Sequence, residues 1–286
     1  MKYSTYNGFL CIEEIDRDFL NIDKTLDCGQ CFRWNRLNDG TWLGVVNNKQ
    51  FMVKHKEIDN VPCIITTATK EEWETILIDY FDFGTDYTKL TIPADDTFAN
   101  QAYKDGKGIR ILNQDPWEMV VSFIISQRNN IPKIKSTIHK LCEAYGDKIE
   151  LEVNGRVYTD YTFPSCKELS QLDVSDLDGI GLGYRDEYII QAARTIETNF
   201  IDLEKLTSDK VDGESTVNEL IQMRGVGPKV ANCIALFGLH KLDMFPIDIW
   251  MQRMITTYYN GSLDPSVYGS LAGLMQQYMF YHVRFV

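Results

Sequence analysis

Short apolar and aromatic stretches alternate with turn signals in the first part of the chain. Phe32–Trp34 and Trp42–Val46 flank an Asn38-Asp-Gly40 turn, and Ile64–Thr67 is rich in β-branched residues. This pattern predicts antiparallel strands, because β-branched and aromatic residues bounded by turn residues are typical of them. Residues 71–81 have the apolar spacing of a helix instead. The first region is therefore predicted to be α+β.

Beyond Asp95 the apolar positions recur with the three- and four-residue spacing of amphipathic helices. Asp115-Pro116 and Asp248 are residue types that begin helices. Residues 148–163 are predicted to form a small hairpin that turns at Asn154-Gly155. The predicted helices cover residues 96–105, 116–126, 131–145, 166–171, 184–199, 215–223, 228–239, 249–259 and 265–282.

The length of the chain favours two domains. One hydrophobic core rarely serves 286 residues, and the 44% hydrophobic content supports sizeable cores. We predict an α+β fold in which an N-terminal antiparallel-sheet domain, residues 1–100, packs on a mainly α-helical domain, residues 101–286. The sequence shows no export signal and no apolar run near 18 residues, so a cytoplasmic protein without membrane contact is expected.

Seven irregularly spaced cysteines argue against a disulfide framework and for reduced thiols. Only Cys28-Gly-Gln-Cys31 has the spacing of a redox or zinc motif. A thioredoxin-like motif follows a strand and opens a helix, whereas strands are predicted after this one. A redox or zinc role is thus a minor alternative, and no metal site formed by side chains is predicted.

The net charge of −12 weighs against a nucleic-acid partner, because phosphate binding generally requires Lys and Arg. The distribution of charge matters more than the sum. Residues 126–140 contain Arg128, Lys133, Lys135 and Lys140 and no acidic residue, so a local basic face is compatible with an acidic protein. Taken alone, this segment fits a solvated helix face better than a DNA-binding surface.

Arg224-Gly-Val-Gly-Pro-Lys229 opens an apolar helix and carries the strongest chemical signal. Gly225 and Gly227 suit a tight hairpin, because glycine tolerates positive φ and lets another backbone approach closely. Pro228 fits the first helical turn, where unpaired backbone N–H groups can bind a phosphate. Lys229 would lie beside that phosphate. A GxG turn alone is common, so the signal lies in its combination with Asp248 further along the chain.

Arg224–Cys233 and Phe245–Trp250 resemble the helix-hairpin-helix DNA glycosylase superfamily, in which a hairpin, a lysine and a later aspartate form one active site. Within it, the chain is similar to the 8-oxoguanine DNA glycosylase and lyase family, as a bacterial-type member. The resemblance runs in order from about residue 26 to residue 280. Four further stretches carry it: Cys28–Trp34, Gly108–Pro116, Ser122–Ile131 and Gly181–Arg185.

The resemblance implies a base-excision repair enzyme that flips 8-oxoguanine out of duplex DNA and excises it. Lys229 would attack C1′ of the flipped nucleotide, and the resulting imine would permit β-elimination at the abasic site. Asp248 would cap a helix and stabilise positive charge on the sugar. The attack needs a neutral amine, which costs ~4–5 kcal/mol near pH 7. A helix start supplies only ~0.3–1 kcal/mol, so desolvation or proton transfer must supply most of it.

Recognition of the damaged base is implied to depend on Gly29. Its carbonyl would accept the N7 hydrogen of 8-oxoguanine but would face a lone pair on guanine. The remaining lesion-binding residues implied by the resemblance are Cys233, Gln276 and Phe280. The residues implied to contact DNA are Arg128, Asn129 and Asn130 in the gap-filling loop, Tyr184 and Arg185 beside the partner base, and Lys133, Gly225, Gly227 and Trp250.

Three positions depart from the family pattern. Trp250 replaces a histidine near phosphate, and Arg128 replaces an asparagine in the gap-filling loop. Lys133 replaces an arginine that reads the opposite cytosine. Because lysine lacks the bidentate geometry of arginine, relaxed preference for the opposite base is implied.

Two other functions each account for part of the sequence. An adenine or thymine-glycol glycosylase would often carry a four-cysteine iron–sulfur tail, whereas only Cys233 lies beyond Cys166. A non-catalytic DNA-binding module would explain the hairpin but not Lys229 together with Asp248. The resemblance implies a monomer that acts on double-stranded DNA containing 8-oxoguanine, in the bacterial cytoplasm and associated with the nucleoid. It implies no required cofactor, and it leaves open a cation at the hairpin carbonyls.

Overall fold

Six antiparallel strands form one sheet in the computed structural model, which describes residues 1–286. The strand order is β1-β2-β6-β5-β4-β3. The strand predicted to begin at Phe32 begins at Trp34. The strand bounds are Lys2–Tyr6 for β1, Phe9–Glu13 for β2, Trp34–Arg36 for β3, Trp42–Val46 for β4, Lys49–Ile58 for β5 and Val61–Thr66 for β6.

The core of the sheet domain is built around Trp34. Its indole is fully buried, and its Nε1 donates a hydrogen bond to the Tyr80 hydroxyl at 2.7 Å. On the paired strand β4, a Cβ at Gly44 would lie 2.1 Å from the indole ring, so only glycine leaves room for it. A helix that spans residues 70–80 covers this core with Trp73 and Leu77, in agreement with the prediction.

That covering helix consists of α2 (Lys70–Glu72), a π-helical turn (Trp73–Leu77) and α3 (Ile78–Tyr80). The short helices α1 (Ile22–Asp27) and α9 (Leu203–Thr207) were not predicted. The other helices are α4 (Thr97–Gly106), α5 (Pro116–Ser126), α6 (Ile131–Tyr145), α7 (Cys166–Ser170), α8 (Arg185–Glu197), α10 (Gly213–Leu220), α11 (Pro228–Phe237), α12 (Ile249–Tyr258) and α13 (Ala272–Phe285).

Three short 3₁₀ helices, Tyr87–Lys89, Val174–Leu177 and Pro265–Leu271, complete the helical structure. The helix predicted over residues 265–282 is therefore wrong in its first part. Gly269 has φ +67°, which breaks the segment before α13 begins. The helices of this chain all lack the length and apolarity that crossing a membrane would require.

The predicted hairpin is confirmed as β7 (Lys148–Val153) and β8 (Arg156–Tyr161). Its turn residues Asn154 and Gly155 have positive φ values of 52° and 77°, as the predicted turn type requires. Val153 packs against Leu43 and Met52, so the hairpin covers the outer face of the sheet.

The fold prediction is confirmed, since a six-stranded antiparallel sheet packs on a helical body. Helix α4 spans the predicted boundary at residue 100. Its Ala99 and Ala102 are fully buried in the helical core, which also includes Cys28 and Phe32 from the N-terminal region. The exact division thus stays a prediction. The segment from Cys28 to Phe32 lies where the two bodies meet, and it positions the site.

Candidate active site

The loop Cys28–Cys31 is held by side-chain amides on both sides of Gly29. The Cys28 carbonyl accepts a hydrogen bond from Gln277 Nε2 at 2.9 Å, and the Gln30 carbonyl accepts one from Gln114 Nε2 at 2.9 Å. The Gly29 carbonyl between them accepts none within the protein. Gly29 itself has φ +86°, which favours glycine. The loop therefore presents one free carbonyl between two anchored ones.

The same loop does not fit the redox alternative. Cys28 and Cys31 are both buried free thiols, and burial raises the pKa of Cys28 to about 12 and raises that of Cys31 as well. Cys28 Sγ donates to the Thr25 carbonyl at 3.2 Å. Protonated, inaccessible thiols are poor nucleophiles and poor metal ligands. These cysteines have a structural role.

Helix α13 carries Gln276 and Phe280 on one face, one turn apart. The Gln276 side chain is buried, and its Oε1 has no hydrogen-bond partner. A Cβ at Gly29 would lie 3.5 Å from Phe280 Cε1, so the loop and this ring are neighbours. A buried amide oxygen without a partner is available to accept a hydrogen bond from a ligand. The Phe280 ring therefore lies beside Gly29, with Gln276 one helical turn away on the same face of α13.

Lys229 and Cys233 lie one turn apart on α11. Lys229 is exposed, with its Nζ 5.8 Å from the centroid of the Phe123 ring. Burial raises the pKa of Cys233, the Lys229 ammonium opposes this shift, and Asp248 adds to it. The charges of Lys229 and Asp248 thus both act on the Cys233 thiol, so the two predicted catalytic residues lie in the same neighbourhood.

Asp248 is the N-cap of α12, as predicted. Its Oδ1 accepts hydrogen bonds from the backbone N–H groups of Trp250 and Met251, both at 2.9 Å. Its Oδ2 accepts none from the protein and can face a substrate. A carboxylate with one oxygen held by backbone donors and the other free is suited to stabilising positive charge on a substrate.

The hairpin between α10 and α11 is open on one side and packed on the other. Gly225 has φ +85°, and a Cβ there would lie 2.4 Å from the Tyr188 ring. Gln127 Nε2 donates to the Gly225 carbonyl at 2.9 Å. Gly227 differs from the expectation, because its φ is −90° and no atom lies within 4 Å of its Cβ position. Its role is to leave the start of α11 open, where no side chain caps the first N–H groups.

The predicted gap-filling loop uses two of its three side chains for its own structure. Asn129 Nδ2 donates to the Ile125 carbonyl at 2.8 Å, and Asn130 Oδ1 accepts from the Lys133 N–H at 3.0 Å as the cap of α6. Arg128 has φ +54° and an exposed side chain. In the protein without DNA, Arg128 is the member of this loop that is free to enter a duplex, and the gap-filling roles stay predictions.

Tyr184 and Arg185 are placed differently from each other. Tyr184 is half exposed, at 50%. Arg185 is only 8% exposed, and its guanidinium donates to the carbonyls of Gln127 and Leu182. Its Cζ lies 4.5 Å from the centroid of the Tyr184 ring. Arg185 thus supports the neighbouring loop and Tyr184, and its contact with the partner base stays a prediction.

Four of the predicted DNA-contacting residues lie on one surface. An open groove of about 710 Å³ is lined by Arg128, Tyr184, Gly225 and Gly227. Trp250 lies at the start of α12, 37% exposed, with the Arg253 guanidinium 5.6 Å from its ring centroid.

The lysines of the predicted basic face separate into free and bonded ones. Lys133 Nζ lies beside Gly181, where a Cβ would approach it to 2.8 Å. Lys135 differs from the expectation, because its Nζ donates to the Trp34 carbonyl at 2.6 Å and ties α6 to the sheet. Lys133 and Lys140 remain exposed, so the basic face is smaller than predicted.

Comparison with known proteins agrees with this geometry. Residues 13–120 match the family profile for the 8-oxoguanine DNA glycosylase N-terminal domain, and residues 121–267 match the HhH-GPD superfamily of base excision DNA repair proteins. The N-glycosylase/DNA lyase of Saccharomyces cerevisiae is 30% identical over 274 residues, which cover 87% of this chain and 71% of the relative. The chain belongs to the 8-oxoguanine DNA glycosylase family.

Two further relatives extend the similarity. A probable N-glycosylase/DNA lyase of Methanothermobacter thermautotrophicus is 29% identical over 268 residues, which cover 84% of this chain and 81% of the relative. The solved 8-oxoguanine glycosylase/lyase of Clostridium acetobutylicum, bound to DNA with cytosine opposite 8-oxoguanine, has a TM-score of 0.85 and 31% identity. That match covers 99% of this chain and 98% of the other. Membership of a bacterial branch stays a prediction.

Several residues that build the site in this glycosylase escaped the sequence reasoning. The loop-anchoring amides of Gln30, Gln114 and Gln277 are buried, and no local pattern marks them. Gln30 Nε2 donates to the Arg110 carbonyl at 2.8 Å, while its Oε1 accepts from the Leu112 N–H at 2.9 Å. A buried glutamine in a short polar loop is the one signal that could have pointed to this network.

Arg33 forms a second anchor just after the loop. Its guanidinium lies 3.3 Å from Glu118 and 3.8 Å from Asp160, and it also donates to the Tyr161 carbonyl. Burial raises the pKa of Glu118 to about 7, although Arg33 opposes this shift. Arg33 thereby joins the loop segment to α5, which leads to the gap-filling loop, and to β8.

Proposed function

We propose that this family member is a bifunctional DNA repair enzyme that excises 8-oxoguanine from duplex DNA and then cleaves the abasic strand. The observation that carries the proposal is the combination of Lys229, the capped Asp248, and the partnerless Gln276 amide oxygen one helical turn from the Phe280 ring beside Gly29. The lysine and carboxylate supply the chemistry, while the amide and the carbonyl supply recognition. The DNA complex of the Clostridium relative supports this substrate.

Recognition begins with extrusion of the damaged nucleotide, because C1′ of a stacked base cannot be reached. The free Gly29 carbonyl accepts the N7 hydrogen that 8-oxoguanine has and guanine lacks. Gln276 bonds the Watson–Crick edge, and Phe280 and Cys233 contact the two faces of the base. Guanine in the same place would set two acceptors against each other, at a cost of roughly 1–3 kcal/mol.

Excision is a displacement at the sugar. The neutral Lys229 amine forms a bond to C1′ while the C1′–N9 bond breaks and the base leaves with the electron pair and takes up a proton. Asp248 stabilises the positive charge that develops on the sugar. Ring opening then gives an imine between Lys229 and C1′. Removal of a C2′ proton breaks the C3′–O bond, which releases the 3′ phosphate and completes β-elimination.

Activation of Lys229 depends on substrate binding. Its side chain is exposed in the protein alone, whereas the neutral amine that the attack needs is favoured by an apolar, water-free environment. The start of α11 contributes only ~0.3–1 kcal/mol. Removal of water when DNA covers the site supplies the larger part, with proton transfer to a neighbouring group at the moment of attack.

The partner is double-stranded DNA containing 8-oxoguanine, bound by a monomer. The N–H groups at the open start of α11 hold a phosphate. Arg128, Tyr184 and Lys133 lie at the part of the duplex from which the nucleotide is extruded. No organic cofactor enters these steps. The carbonyls of Ile221 and Val226 accept no hydrogen bond within the protein, so they are free to bind a cation at the hairpin. Reduced thiols and a chromosomal substrate support action in the cytoplasm, at the nucleoid.

The decisive test is trapping of the imine by borohydride on an 8-oxoguanine duplex. Wild-type protein should give a covalent adduct and a cleaved strand, whereas Lys229→Gln should give neither, with activity lower by more than about 10³-fold. Lys89→Gln, which removes an exposed lysine of the sheet domain, is the control and should behave as wild type. An adduct with Lys229→Gln, or none with wild type, would overturn the proposal.

A further inference from the structure

Three consecutive carbonyls of the loop have different surroundings. Those of Cys28 and Gln30 each accept a hydrogen bond from a buried glutamine side chain, and the Gly29 carbonyl between them has no donor. Gln277, the donor to Cys28, is 2% exposed. The two peptide groups beside the free carbonyl are therefore both fixed by contacts from outside the loop.

Gln277 is distinctive because of where it comes from. It lies on α13 directly after Gln276, and it reaches a residue 249 positions earlier in the chain. Successive helical residues point about 100° apart, so Gln276 faces the lesion pocket while Gln277 faces the loop. One turn further, the Phe280 ring lies beside Gly29, 3.5 Å from the position that a Cβ would take there. Helix α13 thereby fixes the position of the Cys28–Cys31 loop relative to Gln276, which is proposed to bond the Watson–Crick edge.

The free carbonyl needs such an anchor. Glycine has the widest backbone freedom of any residue, and Gly29 at φ +86° has no side chain to restrain it. A carbonyl that could rotate would bond the N7 hydrogen of 8-oxoguanine less well, because hydrogen bonds weaken steeply with angle. It would also turn away from the N7 lone pair of guanine, so the wrong base would no longer be disfavoured.

We propose that Gln277 is a positioning residue that fixes the Gly29 carbonyl and thereby sets discrimination between 8-oxoguanine and guanine. The proposal rests on the function and the Gly29 role proposed above. Gln277 touches neither base nor sugar, and it acts through the Cys28–Gly29 peptide group. Loss of its amide should reduce discrimination and leave the chemistry at C1′ intact.

The test compares Gln277→Met, which keeps a similar volume but removes the donor, with unchanged protein. In a Lys229→Gln background, the measured quantity is the ratio of affinities for duplexes that contain 8-oxoguanine or guanine at one site. We expect Gln277→Met to lower this ratio roughly tenfold, as expected for one lost hydrogen-bond constraint. With Lys229 present, cleavage of a preformed abasic site should stay within about twofold of wild type.

Lys241→Met is the matched control. Lys241 is also buried, at 7%, and its Nζ donates to the Ser208 carbonyl at 2.8 Å, away from the loop. This variant should lose thermal stability without changing the affinity ratio. Gln114→Met removes the donor on the other side of Gly29 and should repeat the Gln277→Met result if anchoring of the loop is what matters.

Gly29→Ala distinguishes the role proposed for Gly29 from the role proposed for Gln277. If it lowers the affinity ratio and Gln277→Met does not, the positioning role of Gln277 is wrong and the Gly29 role stands. If neither variant changes the ratio, both roles are wrong, while the imine test still decides the function. An equal loss of 8-oxoguanine excision and abasic-site cleavage in Gln277→Met would mean a purely structural role and would also overturn the proposal.

Discussion

The loop Cys28–Cys31, which is proposed to read the lesion (the lesion-reading loop), and the hairpin, residues 221–227, are held in opposite ways. Buried amides of Gln114 and Gln277 fix the loop from outside and leave one carbonyl free. The hairpin packs against the helical body through Met223, Gly225 and Val226, but its open end presents N–H groups without a side-chain cap. An acceptor that distinguishes two bases by a single hydrogen must not move. A phosphate-binding site instead requires donors that the backbone of any DNA sequence can reach.

The residues around these two segments follow the same division. Gln276 and Cys233 are at most 5% exposed, while Tyr184 is 50% and Trp250 is 37% exposed. Rigid surroundings suit the lesion pocket, because a carbonyl that adapted to guanine would lose its selectivity. Exposed side chains suit the DNA surface, because they rearrange around a bent duplex at little cost.

Asp248, the N-cap of α12, belongs to neither segment and should give the largest effect of any change short of removing the nucleophile. Asp248→Asn keeps the helix cap, because asparagine caps as well as aspartate, but it removes the charge that stabilises the sugar cation. We expect excision of 8-oxoguanine to fall by about 10²–10³-fold in single-turnover kinetics.

The same variant should bind the 8-oxoguanine duplex about as well as wild type and unfold at nearly the same temperature. Asp115→Asn, at the equivalent cap of α5, is its control and should leave excision unchanged. Excision at the wild-type rate by Asp248→Asn would leave Asp248 with a structural role alone.

The two glycines of the hairpin test whether its open side is functional. Gly225→Ala should reduce the free energy of unfolding by roughly 2–4 kcal/mol, since alanine is strained at φ +85° and its Cβ meets Tyr188. Gly227→Ala should change stability by less than about 1 kcal/mol, because its φ is ordinary and its Cβ position is empty.

For DNA binding the order of the two variants should be reversed, so that Gly227→Ala has the larger effect. The methyl group of Gly227→Ala enters the space that a phosphate would occupy at the start of α11, and we expect DNA affinity to fall about tenfold whatever the sequence. Urea unfolding and a salt titration of DNA binding measure the two effects. Normal DNA binding by Gly227→Ala would show that the open end does not hold phosphate.

Local patterns predicted much of this molecule from sequence. Asp115 and Asp248 were recognised as caps, and the Asn154-Gly155 turn was found, because short-range contacts determine such features. The strand near Phe32 and the helix from residue 265 were misjudged at their ends, where Trp34 packing and a glycine at positive φ decide the structure. The pattern of apolar and polar positions carries no information about the packing of Trp34 or the φ angle of that glycine.

The arrangement of the candidate site could not be predicted from local sequence patterns alone. Gly29, Gln276 and Phe280 were singled out by resemblance alone, and their proximity depends on the two bodies meeting. Gln277 bonds a residue 249 positions away, so no periodicity could mark it. The bonds of the Arg185 guanidinium to the carbonyls of Gln127 and Leu182 were likewise not marked by any local pattern. Such contacts depend on tertiary packing.

The smallest expected effect concerns the base opposite the lesion. Lys133 lies beside Gly181, in the loop that leads to Tyr184, and a lysine there offers a point charge instead of a planar fork. Lys133→Arg should raise the preference for cytosine opposite 8-oxoguanine by about five- to tenfold, because arginine bonds a base edge in bidentate fashion. Cleavage rates opposite all four bases measure this preference. Selectivity for 8-oxoguanine over guanine should not change, since the lesion-reading loop is anchored independently of Lys133; a loss of that selectivity would show that the two regions are coupled.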